Sequence, residues 1–131
     1  MNRQTIVPPG WGRWYRDLHY APAVVSGDLV FISGCTGVQT DGSLADDPET
    51  QIRQTFESVG AVLAEAGAGF ADVVELTSYH VGLQDQAELF LRVKDEFIDE
   101  PYPAWTAIGV SGLLTPGAIV EIRVIARLAT S

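Results

Sequence analysis

The sequence has very little cysteine: Cys35 is the single one among 131 residues. No disulfide can form within the chain, as is usual for proteins of a reducing cytosol, so we expect a cytoplasmic location. Long apolar runs are also absent, since none approaches the ~18 residues of a membrane-spanning helix. The start of the sequence contains prolines and lacks the apolar stretch of a signal peptide. We therefore expect no membrane partner.

Basic residues are scarce as well. The chain has 8 Lys and Arg residues against 17 Asp and Glu residues, which gives a formal net charge of −9. Binding to a phosphate backbone requires clustered Lys and Arg side chains, and the arginines of this sequence are scattered. The charge balance therefore disfavours nucleic acid as a partner.

Motifs for metals and cofactors are missing too. The sequence contains no Cys-x-x-Cys or His-x-x-x-His pair, no P-loop and no dinucleotide fingerprint. We therefore predict no metal and no cofactor. A nucleophilic cysteine needs a nearby base, and nothing in the spacing pairs Cys35 with His19 or His80. The pattern favours a buried, inert thiol for Cys35 and a structural or surface role for His80.

The length of 131 residues fits one domain over residues 1–131, with an irregular N-terminal segment at 1–17. Two short apolar runs, Ala23–Val25 and Leu29–Ile32, are separated by a Ser-Gly-Asp turn. Apolar runs divided by such a turn are typical of a β-hairpin. We therefore predict a hairpin directly after the irregular segment.

Two helices are predicted in the middle of the chain. Asp47 can cap the first helix, and Pro48 suits its first position. Its inner face is formed by residues that recur every three or four positions: Ile52, Phe56, Val59, Leu63 and Ala66. Asp85 and Glu88 have the spacing of a capping box and predict the start of the second helix. The inner stripe of that helix is Phe90, Val93 and Phe97.

The remaining segments predict strands. DVVELTSYHVG alternates between apolar and polar residues and is rich in β-branched and aromatic ones. Two further strands are predicted at Trp105–Val110 and Ala118–Leu128. The resulting order, ββαβαββ, contains five strands and favours an α+β fold in which two helices back one face of a single sheet, for which we expect about six strands in all.

The last predicted strand indicates what the other face of the sheet is like. Its side chains that point toward the helices are Val120, Ile122, Val124, Ala126 and Leu128. Those that point away are Glu121, Arg123, Ile125 and Arg127. Earlier strands must add apolar residues to the uncovered face: Leu29 and Phe31 or Val30 and Ile32, and either Val73 or Val74. Such a half-apolar face predicts self-association, and scattered surface apolar residues on a monomer are the alternative.

Glu121 and a group of aromatic residues are the candidate functional positions. A carboxylate in an apolar strand costs free energy unless it is paired or belongs to a site. Glu121 could pair with Arg123 or with another subunit, and a functional role is equally consistent with the pattern. Trp11, Trp14 and Tyr15 crowd a glycine-containing segment. They predict either a clasp packed on the domain or a surface on which a ligand stacks.

Two segments, YAPAVVSGDLVFISG and PYPAWTAIGVSGLLTPGAIVEIRVIA, resemble the signature regions of the RidA/YjgF family. The resemblance extends over roughly residues 18–129. It implies a chorismate-mutase-like α+β fold and a homotrimer with a central barrel, in which small-molecule clefts lie between subunits. Well-known members of this family hydrolyse reactive enamines and imines to 2-oxo acids and ammonia, and some members have been described as endoribonucleases.

The resemblance also assigns roles to residues of this sequence. In the imine deaminases a Pro-Ala-Arg motif supplies an arginine that grips the substrate carboxylate, and the matching residue here is Trp105. An indole has one N–H donor and no charge, so it cannot replace that contact. The family's cysteine and asparagine positions hold Ala107 and Leu91. Glu121 is retained and is expected to position or activate the attacking water. The expected ligand contacts are Trp105, Tyr20, Ser33, Gly34 and Thr106.

We therefore predict a trimeric hydrolase or deaminase that acts on an enamine, imine or related metabolite other than 2-iminopropionate. A non-catalytic trimer that binds a small metabolite is the alternative, so whether the protein is an enzyme stays open. An RNA-directed function is disfavoured by the net charge. We also expect Trp105 and Glu121 to lie on neighbouring strands, where the indole would raise the pKa of the carboxyl group.

Overall fold

The computed structural model describes residues 3–129 and contains one mixed sheet with helices packed on one of its faces. The elements in chain order are β1 (Arg3–Ile6), α1 (Gly12–Leu18), β2 (Ala23–Ser26), β3 (Leu29–Cys35), α2 (Pro48–Glu65), β4 (Val73–Val81), α3 (Leu83–Lys94), β5 (Ala104–Val110) and β6 (Val120–Arg127). The strand order across the sheet is β1-β2-β3-β6-β4-β5. Only the β4–β5 pair is parallel among the pairs described. The predicted α+β fold with a six-stranded sheet is confirmed.

The prediction of an irregular segment at 1–17 is wrong for the described part of that segment. Ile6 pairs with Ala23 and Arg3 with Ser26, so β1 extends the sheet beyond β2. The helix α1 follows and has no buried residue. The sequence of neither element shows a clear apolar period. Strand β1 is held mainly by its hydrogen bonds to β2, and α1 lies on the surface, so neither needs an apolar face.

The start of α2 follows the sequence prediction. The carboxylate of Asp47 accepts hydrogen bonds from the backbone N of Thr50 at 2.9 Å and from its hydroxyl at 2.8 Å. Pro48 opens the helix, where its missing N–H costs nothing. The predicted inner face is buried at Ile52, Phe56, Val59 and Leu63. This face covers β3 and β6, and α3 packs beside α2 on the same side.

The start of α3 differs from the prediction, because the helix begins at Leu83 with Gly82 as its N-cap. Asp85 therefore lies in the first turn and does not cap the helix. Gly82 adopts a left-handed conformation with φ of 78°, which lets the chain pass from β4 into α3 without a polar spacer. Phe90 and Val93 are buried as predicted.

The uncovered face of the sheet has the apolar character that the sequence predicts. Val30 and Ile32 face the helices and are buried, so Phe31 points to the other face. Phe31 is 41% exposed and Ile108 is 39% exposed. Val73 is buried, whereas Val74 lies exposed at a bulge between β4 and β6. A trimer that covers this face stays a prediction.

A candidate active site around Glu121

A cavity of about 330 Å³ lies between α1, the end of β3 and the loop before β6. It is lined by Trp11, Trp14, Leu18, Tyr20, Ser33, Gly34, Cys35, Thr36, Val38, Leu114, Thr115 and Glu121. Four predicted site residues, Glu121, Tyr20, Ser33 and Gly34, therefore meet in one place. The volume is at the lower end of the ~300–1,000 Å³ that is typical of small-molecule pockets.

The missing side chain of Gly34 makes room for the carboxyl group of Glu121. A Cβ atom at Gly34 would collide with Oε2 of Glu121 and would lie 2.7 Å from its Cδ. The pairing of β3 with β6 is irregular at this point, between Ile32 and Cys35. The bulge and the glycine together let the Glu121 side chain lie across the end of β3.

The carboxyl group of Glu121 is half-buried and forms no hydrogen bond or salt bridge with another of residues 3–129. In particular, it does not pair with Arg123. Burial raises its pKa above the ordinary value. A carboxyl group with a raised pKa that opens onto a cavity is better suited to accept and donate a proton than an exposed glutamate is.

Cys35 forms part of the cavity wall. The thiol is buried, and burial followed by the charge of Glu121 raises its pKa to about 12. Its Sγ donates weakly to the carbonyl of Ser33 at 3.5 Å. The nucleophile of Cys-dependent enzymes is the thiolate, which this environment suppresses. The predicted burial of the Cys35 thiol is confirmed, and its inertness stays a prediction that the raised pKa supports.

Ser33 and Tyr20 are positioned by one set of hydrogen bonds. The Ser33 hydroxyl donates to the carbonyl of Ala21 at 2.7 Å, and the Ser33 backbone N donates to the carbonyl of Pro22 at 3.0 Å. These contacts hold the segment that follows Tyr20 against β3. The pKa of Tyr20 is raised, first by burial and then by the charges of Cys35 and Glu121. Tyr20 is therefore a neutral hydroxyl donor at the cavity.

Trp105 does not line this cavity, and the prediction that it neighbours Glu121 is wrong for a single chain. Strand β4 separates β5 from β6, and Trp105 pairs with Leu76 on the helix face whereas Glu121 lies on the opposite face. The raised pKa of Glu121 follows from burial in the cavity instead. Thr106 is exposed, pairs with Thr77 and also lies outside the cavity.

Trp105 instead completes a buried polar network. Its Nε1–H donates to the hydroxyl of Ser78 at 2.9 Å, and Ser78 lies 2.7 Å from Nε2 of His80. Nδ1 of His80 lies 2.6 Å from Oε1 of Gln86. Because the amide oxygen only accepts, Nδ1 carries the proton and Nε2 accepts from Ser78. His80 is buried with both ring nitrogens hydrogen-bonded, which confirms its structural role, and burial lowers its pKa.

The ring of Trp105 is held on the side of α3. It stacks on Phe90 with 5.9 Å between ring centroids, and Nζ of Lys94 lies 4.7 Å from its centroid. The indole is nevertheless 37% exposed. Within one chain Trp105 is therefore a packing residue that also presents surface.

Comparisons with known proteins identify the family of this chain and agree with its fold. The family model described as Endoribonuclease L-PSP matches residues 15–128. The chain belongs to the RidA/YjgF family. The Escherichia coli RutC family protein YjgH is 40% identical over 129 residues, which cover 98% of this chain and 97% of that protein. The 3-aminoacrylate deaminase RutC of Acinetobacter baylyi is 29% identical over 113 residues, covering 83% of this chain and 86% of RutC.

Solved structures of the RidA/YjgF family are also similar to this chain. A structure of protein YJGH has a TM-score of 0.91 and 39% identity, with all of both chains covered. The structure of Escherichia coli TdcF with bound serine has a TM-score of 0.78 and 28% identity, covering 84% of this chain and 88% of TdcF.

The sequence did not identify the α1 side of the site in this RidA/YjgF chain. Trp11 and Trp14 contact each other, with 5.4 Å between ring centroids, and both line the cavity. Trp11 also packs against the hydrophobic core. The crowding of aromatic residues was the available signal, and it left a packed clasp and a stacking surface as alternatives. The packing of Trp11 against the core agrees with the clasp, and stacking of a ligand on Trp11 stays a prediction.

Residues 3–129 contain no cluster of three or more His, Cys, Asp or Glu side chains placed to hold a metal ion. Among the same residues, no helix has the length and apolar character needed to cross a bilayer.

Proposed function

We propose that the Glu121 cavity hydrolyses an enamine or an imine to a carbonyl compound and ammonia. The observation that carries this proposal is the half-buried Glu121 carboxyl group, which has a raised pKa and no partner among the described residues. The name of the related 3-aminoacrylate deaminase RutC supports this class of reaction. The reaction requires a base that takes a proton from water and an acid that returns one, and a single carboxyl group can do both.

The proposed step balances without a cofactor. Glu121 accepts a proton from a water molecule while the water oxygen forms a bond to the imine carbon. The protonated Glu121 returns this proton to nitrogen, which gives the neutral carbinolamine. Glu121 then accepts the hydroxyl proton of the carbinolamine and donates it to nitrogen as the carbon–nitrogen bond breaks, so that ammonia leaves and the carbonyl product remains. An enamine is first converted to the imine by gaining a proton at its β-carbon and losing one from nitrogen, and the Glu121 carboxyl group can donate the first proton and accept the second. The neutral Tyr20 hydroxyl can donate a hydrogen bond to the developing oxygen or nitrogen.

The active assembly in this proposal is a homotrimer. The exposed apolar residues of the uncovered face, such as Phe31 and Ile108, support association because an apolar surface of this kind is stabilised by burial. In such a trimer Trp105 and Thr106 contact the ligand from a second subunit. Within one chain they lie away from Glu121, so this role depends on the assembly.

Ammonia release tests the proposal. Purified protein is mixed with a panel of imines, enamines and amides generated in solution, and ammonia is measured against the uncatalysed rate. We expect acceleration for at least one imine or enamine and none for amides. We expect 2-iminopropionate to react slowly, because Trp105 stands where the family's deaminases have their carboxylate-binding arginine and loss of such a contact costs ~10²-fold in affinity.

A second candidate function is binding of a small metabolite without turnover. It is favoured by the lining of the cavity, which includes no Lys or Arg residue. The structure of TdcF with bound serine is an example of a family member that holds a small molecule. The absence of ammonia release from every panel member, together with measurable affinity for some of them, would support this candidate over the hydrolase.

A further inference from the structure

A second depression adjoins the Glu121 cavity at its α1 side. It has a volume of about 280 Å³ and is lined by Arg13, Trp14, Asp17, Leu18, Val38 and Thr115. Trp14, Leu18, Val38 and Thr115 also line the Glu121 cavity. The two spaces therefore adjoin at these four residues, and a ligand that reaches both has to pass Trp14.

Arg13 is the positively charged residue that lines this depression, and the N–H groups of its guanidinium are available to bind a ligand. The guanidinium lies over the ring of Trp14, with Cζ 4.6 Å from the ring centroid. Arg13 forms no hydrogen bond or salt bridge with another residue in the 3–129 range. Contact with the ring face restricts the side chain while leaving its N–H groups free.

The acidic residues near Arg13 do not bind its guanidinium. Asp17 lines the same depression without forming an ion pair with it. The carboxylate of Asp41 accepts from the backbone N of Ser43 at 2.9 Å and from its hydroxyl at 2.6 Å. These hydrogen bonds occupy Asp41 and, with a smaller effect of Arg13, lower the pKa of its carboxyl group. Arg13 can therefore accept a carboxylate from a ligand.

We propose that the ligand of this site has an apolar planar group, preferably aromatic, that lies against Trp11 and Trp14, and a carboxylate that Arg13 binds. The inference rests on the proposed function for the location of the site and adds the substrate class. Aromatic rings stack favourably on indole, and a guanidinium binds a carboxylate through two parallel hydrogen bonds. Glu121 lines the cavity but not the depression, so the ligand carboxylate is held away from the Glu121 carboxylate.

This arrangement also explains how a family member without the usual arginine can recognise an acid. Trp105 cannot bind a carboxylate through its ring, and its N–H is already bonded to Ser78. Arg13 provides the charge from α1, an element that the resemblance to the family did not predict. A small acid without an apolar group would reach Arg13 but would leave the indole surface of the cavity uncovered.

Calorimetric titration of the full chain tests the inference with three stable compounds. 3-Phenyllactate carries an aromatic ring and a carboxylate, lactate carries the carboxylate alone, and 2-phenylethanol carries the ring alone. We expect 3-phenyllactate to bind at least ~10-fold more tightly than either of the others, because it alone uses both contacts. Equal affinities for lactate and 3-phenyllactate would overturn the inference.

Variants of α1 separate the two contacts. Arg13→Ala is expected to weaken 3-phenyllactate ~10-fold or more and to leave 2-phenylethanol unchanged. Arg16→Ala is the matched control, because Arg16 lies on the same helix but lines neither space, and it should change neither affinity. Trp14→Ala should weaken both aromatic compounds, and Trp14→Phe should restore most of the loss. An Arg13→Ala variant that binds 3-phenyllactate like the wild type would contradict the assignment.

The result of the titration does not depend on whether the protein is a hydrolase. The three compounds contain no imine, so their binding does not require hydrolysis. The predicted binding pattern without ammonia release would refute the hydrolase and keep the ligand class. Ammonia release without that binding pattern would support the hydrolase and refute the ligand class.

Discussion

Gly34 and Glu121 share one small space at the end of β3, and only one of them can have a side chain there. A Cβ atom at Gly34 would touch the carboxyl group of Glu121. Glu121 is distinguished by its local sequence as a carboxylate in an apolar strand, whereas Gly34 is not, because a glycine at the end of a predicted strand is usually part of a turn. The chemistry of the site thus depends on a contact between residues 87 positions apart, which only the paired strands bring together (121 − 34).

Replacing Gly34 tests this contact. Gly34→Ala should displace the Glu121 carboxyl group and lower the ammonia-release activity ~10-fold or more, because small displacements of a catalytic group are costly. It should also reduce the free energy of unfolding by ~1–3 kcal/mol through overpacking. Gly69→Ala is the control, since a Cβ atom there meets nothing within 4 Å. Unchanged activity in Gly34→Ala would show that the position of the carboxyl group is not critical.

Stability against pH tests the environment of Glu121. Its pKa is raised in the folded protein, so the native state holds this proton more tightly than the unfolded state. Stability is therefore full below the ordinary pKa of a glutamate and declines as the pH rises through the raised pKa. Glu121→Gln should have a higher melting temperature than the wild type at neutral pH, and the difference should vanish in acid. A difference that grows on acidification would mean that the carboxylate is stabilised by an unseen partner.

At the level of elements, the sequence predicted the secondary structure wherever an apolar period was present. The inner face of α2, the cap at Asp47 and the alternation of β6 were all correct. The β1 strand was missed because its residues are mostly exposed and its stability comes from β2. The α1 helix was missed because it buries no side chain. The Trp11 and Trp14 side of the site lies on this unpredicted helix.

The position of Trp105 could not be derived from the sequence either. The expectation that β5 and β6 are neighbours came from the resemblance to the RidA/YjgF family. The chain instead places β6 between β3 and β4, and β5 at the edge. Pairing order depends on which strands bury the most apolar surface together, and β6 has buried residues at alternate positions whereas β5 is largely exposed.

The contribution of the buried network between β4, β5 and α3 to stability can be tested by replacing Trp105. Trp105→Phe keeps the stacking on Phe90 but leaves the Ser78 hydroxyl without the indole donor. We expect the free energy of unfolding in urea to fall by ~1 kcal/mol, the usual value of one hydrogen bond. Unchanged stability with strongly reduced ligand affinity would assign Trp105 to the ligand and not to packing.

At the level of the whole molecule, the proposed active assembly is a homotrimer of this chain. Light scattering should give a mass of about three times the 14.1 kDa of the chain. Phe31→Asp should shift the protein toward monomer, because it places a charge on the uncovered apolar face. Ala64→Asp adds the same charge to the exposed side of α2 and should leave the mass unchanged. A wild-type protein that remains monomeric at micromolar concentration would refute the trimer and the ligand role of Trp105.

The most direct test of the central claim compares turnover with affinity in Glu121→Gln. The substitution keeps the shape of the side chain and removes the base. On the panel member that the wild type accelerates most, we predict that turnover falls ~10²–10⁴-fold, the usual contribution of a general base. Calorimetric affinity should change little, and the exposed control Glu65→Gln should match the wild type in both measurements. Full turnover in Glu121→Gln, or a wild type that releases ammonia from no panel member, would contradict the proposed hydrolase.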